Sequence, residues 1–282
     1  MNAESGGPRR VVGEAEAREI ASSFVEARLS SRPLAEFPGK VPSDLDTAYR
    51  CQAAAIELWP DEIGGWKVGR IPPELETKFG SDRLAGPIFR STIHFRDSGE
   101  LLELPMYDGG FAAIEAEFVV VLGGSAPRDK LKWSLEEAAD MMSDLRIGLE
   151  MASSPLKTIN DLGPAAVASD FGNNAGLVVG PSIKGWRRRN PESMSCEAFI
   201  EGRSVGKGGA FKLTGGPLRS LQFMLELAAR CGRPLQAGMT IATGQTTGIH
   251  DIRSGESARV DFGADGRIEC KAVAARSREA RL

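Results

Sequence analysis

Apolar residues recur at helical spacing through Ala17, Ile20, Ala21, Phe24 and Leu29, which predicts a first helix near residues 14 to 30. A proline-punctuated connector from Arg32-Pro33 to Val41-Pro42 follows. Ser43 then caps a predicted second helix with Leu45, Ala48, Gln52, Ala55, Ile56 and Trp59 along one side. From Gly64 the texture changes to short β-like runs broken by Gly, Pro, Asn and Asp: Trp66 to Val68, Phe118 to Leu122, Arg146 to Leu149, Leu177 to Val179, Ala198 to Ile200 and Thr240 to Ala242. Two helices interrupt them. Ser134 with Glu137 forms a capping box for a helix through Met142, and Pro217 opens another whose Leu218, Leu221, Leu225 and Ala228 face inward before Gly232 stops it.

Strands and helices do not alternate as in βαβ repeats, and no internal repeat is visible, so the pattern predicts an α+β fold. It divides into a polar, disordered tail (1–13), a helical N-terminal unit (14–63) and a β-rich body (64–282).

Within that body, Ile114-Glu115-Ala116-Glu117-Phe118 places two carboxylates two residues apart at the start of a β-branched run. A strand sends residues i and i+2 to one face, roughly 7 Å apart at the backbone, close enough to converge on one cation. A third acid, Glu150, ends the apolar stretch Arg146-Ile147-Gly148-Leu149, and three carboxylates with room for water suit Mg²⁺ or Mn²⁺. A strand edge whose glutamates face solvent fits the same pattern.

Charge narrows the choices. The 282 residues carry 35 Lys and Arg against 38 Asp and Glu, with no long run of one sign, which gives no support for a nucleic-acid or membrane partner. The short cluster Arg187-Arg188-Arg189 reads as a solvated turn. Cys51, Cys196, Cys231 and Cys270 form no C-x-x-C pair and are expected to be reduced and buried. No apolar stretch reaches the roughly 18 residues of a membrane span and Met1 to Arg10 has no apolar core, so the protein is expected in the cytoplasm. With His94 and His250 the only histidines, proton transfer must lean on carboxylates, Lys, Tyr or water.

Gly202-Arg203-Ser204-Val205-Gly206 matches G-x-S-x-G, but Lys207-Gly208-Gly209 cannot supply the helix a nucleophile elbow requires, and a hairpin turn explains it better. No Walker A or dinucleotide fingerprint is present. Lys67 lies between glycines in Gly64 to Gly69; a lone strand lysine is usually exposed, whereas flanking glycines permit close approach of a ligand. Asp170 to Gly176 packs turn formers before an apolar run, as ordinary turns do. Thr243-Gly244-Gln245 offers hydroxyl, backbone and amide groups suited to a small acid, and equally to a plain polar loop.

In their order, Gly65-Trp66-Lys67-Val68-Gly69, Gly86-Pro87-Ile88-Phe89, Glu115-Ala116-Glu117, Gly148-Leu149-Glu150, Asp170 to Gly176 and Pro234 to Gly238 followed by Thr243-Gly244 resemble the 2-keto-4-pentenoate hydratases of the fumarylacetoacetate hydrolase superfamily. The resemblance runs from about Ser43 to about His250. It implies a mixed β-sandwich roll in which Glu115, Glu117 and Glu150 hold one Mg²⁺ or Mn²⁺, with Lys67 catalytic and Asp170, Asn173, Thr243, Gly244 and Gln245 binding substrate. The implied reaction adds water to a 2-hydroxy-2,4-dienoate from the catabolism of aromatic compounds, giving a 4-hydroxy-2-oxo acid, in a homo-oligomer. Two departures stand out: Leu84-Ala85 where hydratases usually carry Asp before the glycine, and Met151-Ala152-Ser153-Ser154 where they tend to carry Asp-Ser-Arg. Decarboxylation of a 2-oxo-3-enedioate, hydrolysis of an acylpyruvate C–C bond and non-catalytic binding of a 2-oxo acid or partnership with a related subunit are the competing readings. Hydrolysis is disfavoured because neither histidine lies in a His-x-x-Glu context.

Overall fold

The structure is a computed structural model that describes residues 13–96 and 101–278; nearly all of the tail expected over residues 1–13 lies outside them. Two helices, α1 (Glu14–Ser30) and α2 (Leu45–Leu58), lead into β1 (Ile63–Arg70), α3 (Pro73–Phe79), β2 (Arg83–Phe89), β3 (Ile93–Phe95), β4 (Leu102–Met106) and β5 (Phe111–Leu122). Then come α4 (Leu135–Asp140), β6 (Met142–Ser154), α5 (Pro164–Ser169), β7 (Asn174–Ser182), β8 (Ser195–Ile200) and β9 (Arg203–Gly209). The chain closes with α6 (Gly216–Arg230), β10 (Thr240–Ala242), β11 (His250–Asp251), β12 (Ser257–Asp261) and β13 (Arg267–Ala274).

The strands form two mixed sheets, one ordered β2-β1-β10-β5-β6-β7-β3 with β11 added beside β5, the other β4-β13-β12-β8-β9. This is the mixed roll the resemblance implied. Alternation along β5 explains why it sits at the centre. Ala116, Phe118 and Val120 join the large core that also takes in Phe262, Val260 and Leu225, while Val119 on the other face packs with Ile88, Leu177, Val179 and Ala242. A strand buried on both faces reads as a near-continuous apolar run, and the glutamates at 115 and 117 are the exceptions on its inner face.

The helix starts and stops correct three expectations. Asp44, not Ser43, caps α2: its carboxylate accepts from the Thr47 amide at 2.8 Å, and the Ser43 hydroxyl donates to Asp44 instead. The Ser134–Glu137 capping box is present, but α4 stops at Asp140 because Met142 enters β6 opposite Leu122. Cys231 ends α6 exposed, whereas the other three cysteines are buried as expected, and all four are free thiols. The G-x-S-x-G segment lies in the β8–β9 hairpin, with Glu201 and Gly202 in the left-handed region at its turn. No helix among the described residues is long and apolar enough to cross a membrane.

Both N-terminal helices are tied into the body. Ala21 and Val25 of α1 share the main core, and the Gln52 amide of α2 donates to the carbonyls of Ala85 (2.9 Å) and Ala168 (2.7 Å). Gly86 of β2 is where backbone meets backbone: a Cβ there would collide with the carbonyl of Phe171. Gly86→Ala is therefore expected to cost about 2–3 kcal/mol, read as a lowered midpoint in urea with an unchanged slope.

Candidate metal centre

Strand register assembles the acids. Glu115 of β5 pairs directly with Glu150 of β6, and Glu117 pairs with Gly148, where a Cβ would collide with Val119 Cγ2. Glu115, Glu117 and Glu150 are all buried, and one carboxylate oxygen from each lies within 4.8 Å of the others. The alternative of solvent-facing glutamates is thereby removed. Lys67 is buried as well, at 4% exposure, with its ammonium 3.4 Å from Glu150 Oε1 and 3.4 Å from Asn173 Oδ1.

Two oxygens of this cluster, Glu117 Oε1 and Glu150 Oε2, are buried without a hydrogen-bond partner among the described residues. Buried carboxylates normally find partners, and an unsatisfied pair converging from neighbouring strands is what a divalent cation would satisfy. Hard, all-oxygen donors match Mg²⁺ or Mn²⁺. The remaining oxygens are held in place: the Gly244 amide donates to Glu117 Oε2 (2.7 Å) and Asn174 Nδ2 to Glu150 Oε1 (2.9 Å).

Electrostatics follow from this crowding. Burial, and then the charges of Glu150 and Glu115, push the Glu117 carboxyl well above its ordinary range against the pull of Lys67 and the Gly244 amide. Burial likewise raises Glu150, to about 7, although Lys67 opposes it. For Lys67, burial favours the neutral amine, but Glu150, Glu115 and Glu117 together outweigh it and raise its pKa, so it stands as an ammonium at neutral pH.

A raised folded-state carboxyl contributes stability that is present below its unfolded pKa near 4.3 and lost as pH rises through the folded value. The metal-free protein is therefore expected to lose thermal stability between pH 6.5 and 8, the two histidines, both lowered by burial, acting in the opposite sense and only toward the lower end of that window. Added Mg²⁺ should restore more at pH 8 than at 6.5. Melting curves with chelator and with Mg²⁺ check both signs; a metal-free melting temperature that climbs over this window would contradict the protonated cluster.

The other candidates separate. Asn173 reaches the cluster through Lys67, and Gly244 through Glu117. Thr243 turns its hydroxyl to the Phe118 carbonyl (2.7 Å), and Gln245 accepts from the Gly248 amide (2.7 Å). Asp170 lies apart from the cluster, with both its oxygens accepting from Arg28 of α1, at 2.5 and 2.9 Å. Next to it, Phe171, Gly172 and Asn173 are all left-handed, with φ of 53°, 63° and 53°. Phe171, neither glycine nor asparagine, stores on the order of 1–2 kcal/mol there.

Thr243, Gly244 and Gln245 line a cavity of about 330 Å³, whose cationic rim sequence reasoning missed. The glutamates do not line it; Gly244 stands between the cavity and Glu117, contributing to the wall of one and bonding the other. Its rim carries Arg70, Arg83, Lys207 and Lys212 against the single acid Asp82. These cations come from separated segments, so no charge run marked them.

No protein-family model matches the chain. It is similar to 2-keto-4-pentenoate hydratase 2 of Dechloromonas aromatica (strain RCB), 24% identical over 269 residues, 89% of this chain and 94% of the relative. It is also similar to 2-keto-4-pentenoate hydratase 1 of that organism, 23% identical over 79% of this chain and 83% of the relative. Among solved structures, 4-oxalocrotonate decarboxylase from Pseudomonas putida G7, complexed with magnesium and adipate, superposes with a TM-score of 0.77 at 18% identity, covering 94% of this chain and all of that one. Fumarylpyruvate hydrolase from Pseudomonas aeruginosa, with Mn²⁺ and pyruvate, gives 0.55 at 15% identity over 74% of this chain and 89% of that one. The chain thus resembles the 2-keto-4-pentenoate hydratases in sequence and has the fold of the fumarylacetoacetate hydrolase superfamily.

Proposed function

We propose that the protein is a metal-dependent hydratase that adds water to a 2-hydroxy-2,4-dienoate, with Mg²⁺ or Mn²⁺ held by Glu115, Glu117 and Glu150. The observation that carries this reading is the pair of buried, partnerless carboxylate oxygens set beside a buried ammonium. A bound divalent ion supplies Lewis acidity toward the C1 carboxylate and C2 oxygen of such a substrate. Three carboxylates and Lys67 leave the bare cluster negative, and a divalent charge balances it, so an anionic substrate can enter.

Ketonisation moves the 2-hydroxyl proton to C5, after which the oxygen of water bonds C4 and its proton goes to C3. Lys67, protonated in the resting site, is suited to neutralise the substrate carboxylate and to deliver a proton, not to act as a resting base. Asn173 holds its ammonium from one side. Thr243, Gly244 and Gln245 form the wall toward which the diene tail extends. A cytoplasmic, homo-oligomeric enzyme is part of the same proposal.

One observation favours a second reading. The cationic rim of the cavity suits a substrate with a second carboxylate, as in decarboxylation of a 2-oxo-3-enedioate. The deciding experiment follows the ultraviolet absorbance of 2-hydroxypenta-2,4-dienoate with metal-stripped protein before and after adding Mg²⁺ or Mn²⁺, with products identified by mass. Metal-dependent gain of one water is the expected outcome. Inertness toward this dienol, with loss of carbon dioxide from 2-oxo-3-hexenedioate, would replace the hydratase by the decarboxylase.

A further inference from the structure

Arg28 belongs to a helix with no residue in the acidic cluster, yet it is buried and makes five hydrogen bonds. Two go to the Asp170 carboxylate, and three to the carbonyls of Asp170 (3.2 Å), Asn174 (2.9 Å) and Ser153 (3.2 Å). Asp170 and Asn174 are the two ends of the left-handed run Phe171–Asn173, so one guanidinium grips both ends of a strained turn. The Phe171 ring packs 5.2 Å from the Arg28 guanidinium.

What the turn presents is the cluster's own support. Asn173 projects its amide oxygen to Lys67, and Asn174 donates to Glu150. Gly172 at its centre lies so near the Lys67 stem that a Cβ would sit 3.0 Å from Lys67 Cδ. A turn in this conformation persists only where its surroundings over-determine it, and Arg28 with Asp170 is the buried charge pair that does so.

We propose that Arg28 is a positioning residue for the metal centre: through the turn from Asp170 to Asn174 it sets the orientation of Lys67 and of Glu150. This rests on the metal reading above and adds a determinant from outside the cluster. Lysine in its place keeps the charge but lacks the planar fork that grips several acceptors at once. The turn is then free to relax toward ordinary backbone angles, and the Asn174 amide withdraws from Glu150.

The test is Mn²⁺ affinity, by calorimetry at a temperature well below unfolding, for the wild type, Arg28→Lys, Asp170→Asn and Asn174→Ala, with near-ultraviolet circular dichroism as the check of fold. Each variant is expected to bind Mn²⁺ about 10–100-fold more weakly, as when an outer partner of a metal ligand is lost. Arg28→Lys combined with Asn174→Ala should be no weaker than the worse single change, because both cut one chain of contacts. If Arg28→Lys does not fold, Asp170→Asn loosens the same grip from the other side and is read instead. Folded Arg28→Lys or Asp170→Asn with wild-type affinity would overturn the inference alone, since a purely structural residue lowers the melting temperature without moving affinity. A wild-type protein that takes up no Mn²⁺ would overturn the metal reading, and the inference with it.

Discussion

Glu117→Gln is expected to abolish metal-dependent turnover and to weaken Mn²⁺ binding by more than the about 100-fold upper range for an outer partner, while leaving the metal-free protein as stable as the wild type or more so. The substitution keeps the shape of the side chain, and the amide oxygen can still accept from Gly244. What it removes is a buried carboxyl whose charged form has no partner at Oε1 and is opposed by burial and by Glu150 and Glu115. Such a charge is retained at a cost to stability, which is why a neutral isostere gains stability as it loses function. Calorimetric titration with Mn²⁺ and melting curves in chelator measure the two halves separately. Wild-type-like activity in this variant would remove Glu117 from the ligand set.

Lys67→Met should lower kcat by about 10²–10⁴ if the ammonium delivers a proton. Methionine fills much of the same volume but leaves three acids without their buried cation. Removing one partner of a buried pair costs roughly 3–5 kcal/mol when the other stays charged. Here the carboxyls can respond by holding protons, so the metal-free variant should be destabilised more at pH 8 than at pH 6. Steady-state kinetics at saturating Mg²⁺ separate the roles: a raised KM with kcat kept would confine Lys67 to holding the substrate carboxylate.

Much of this site was legible because its acids lie in local patterns. The spacing of Glu115 and Glu117 on a β-branched run placed two acids on one face, and the apolar stretch before Glu150 placed a third on a strand. That Glu150 would pair with Glu115 was beyond the pattern, because register is fixed by the whole sheet. Lys67 looked ambiguous because its burial depends on acids supplied by other strands. Strand β2 was hidden by Gly86-Pro87, which fits only because β2 is an edge strand, where the missing amide of proline is tolerated. Arg28 looked like a basic residue in the last turn of a helix, where it needs no further explanation. Its partner is 142 residues away, and although Asn173 is a type that tolerates a left-handed backbone, nothing in Phe171 announces one.

The direct pairing of Glu115 with Glu150 makes the centre sensitive to how the chain was threaded as well as to which residues it contains. A slip of one position between β5 and β6 would carry Glu150 to the opposite face, among the apolar side chains of the main core, and leave Glu115 facing Leu149 or Met151 and Glu117 facing Ile147 or Leu149. On the metal reading, chains that collapse in that arrangement gain nothing from a divalent cation, whereas correctly aligned chains are stabilised by it with the logarithm of its concentration above the dissociation constant. On the same reading, refolding with Mn²⁺ is expected to enrich the aligned form, and the fraction of refolded chains that retain Mn²⁺ counts those whose two central strands found their proper alignment.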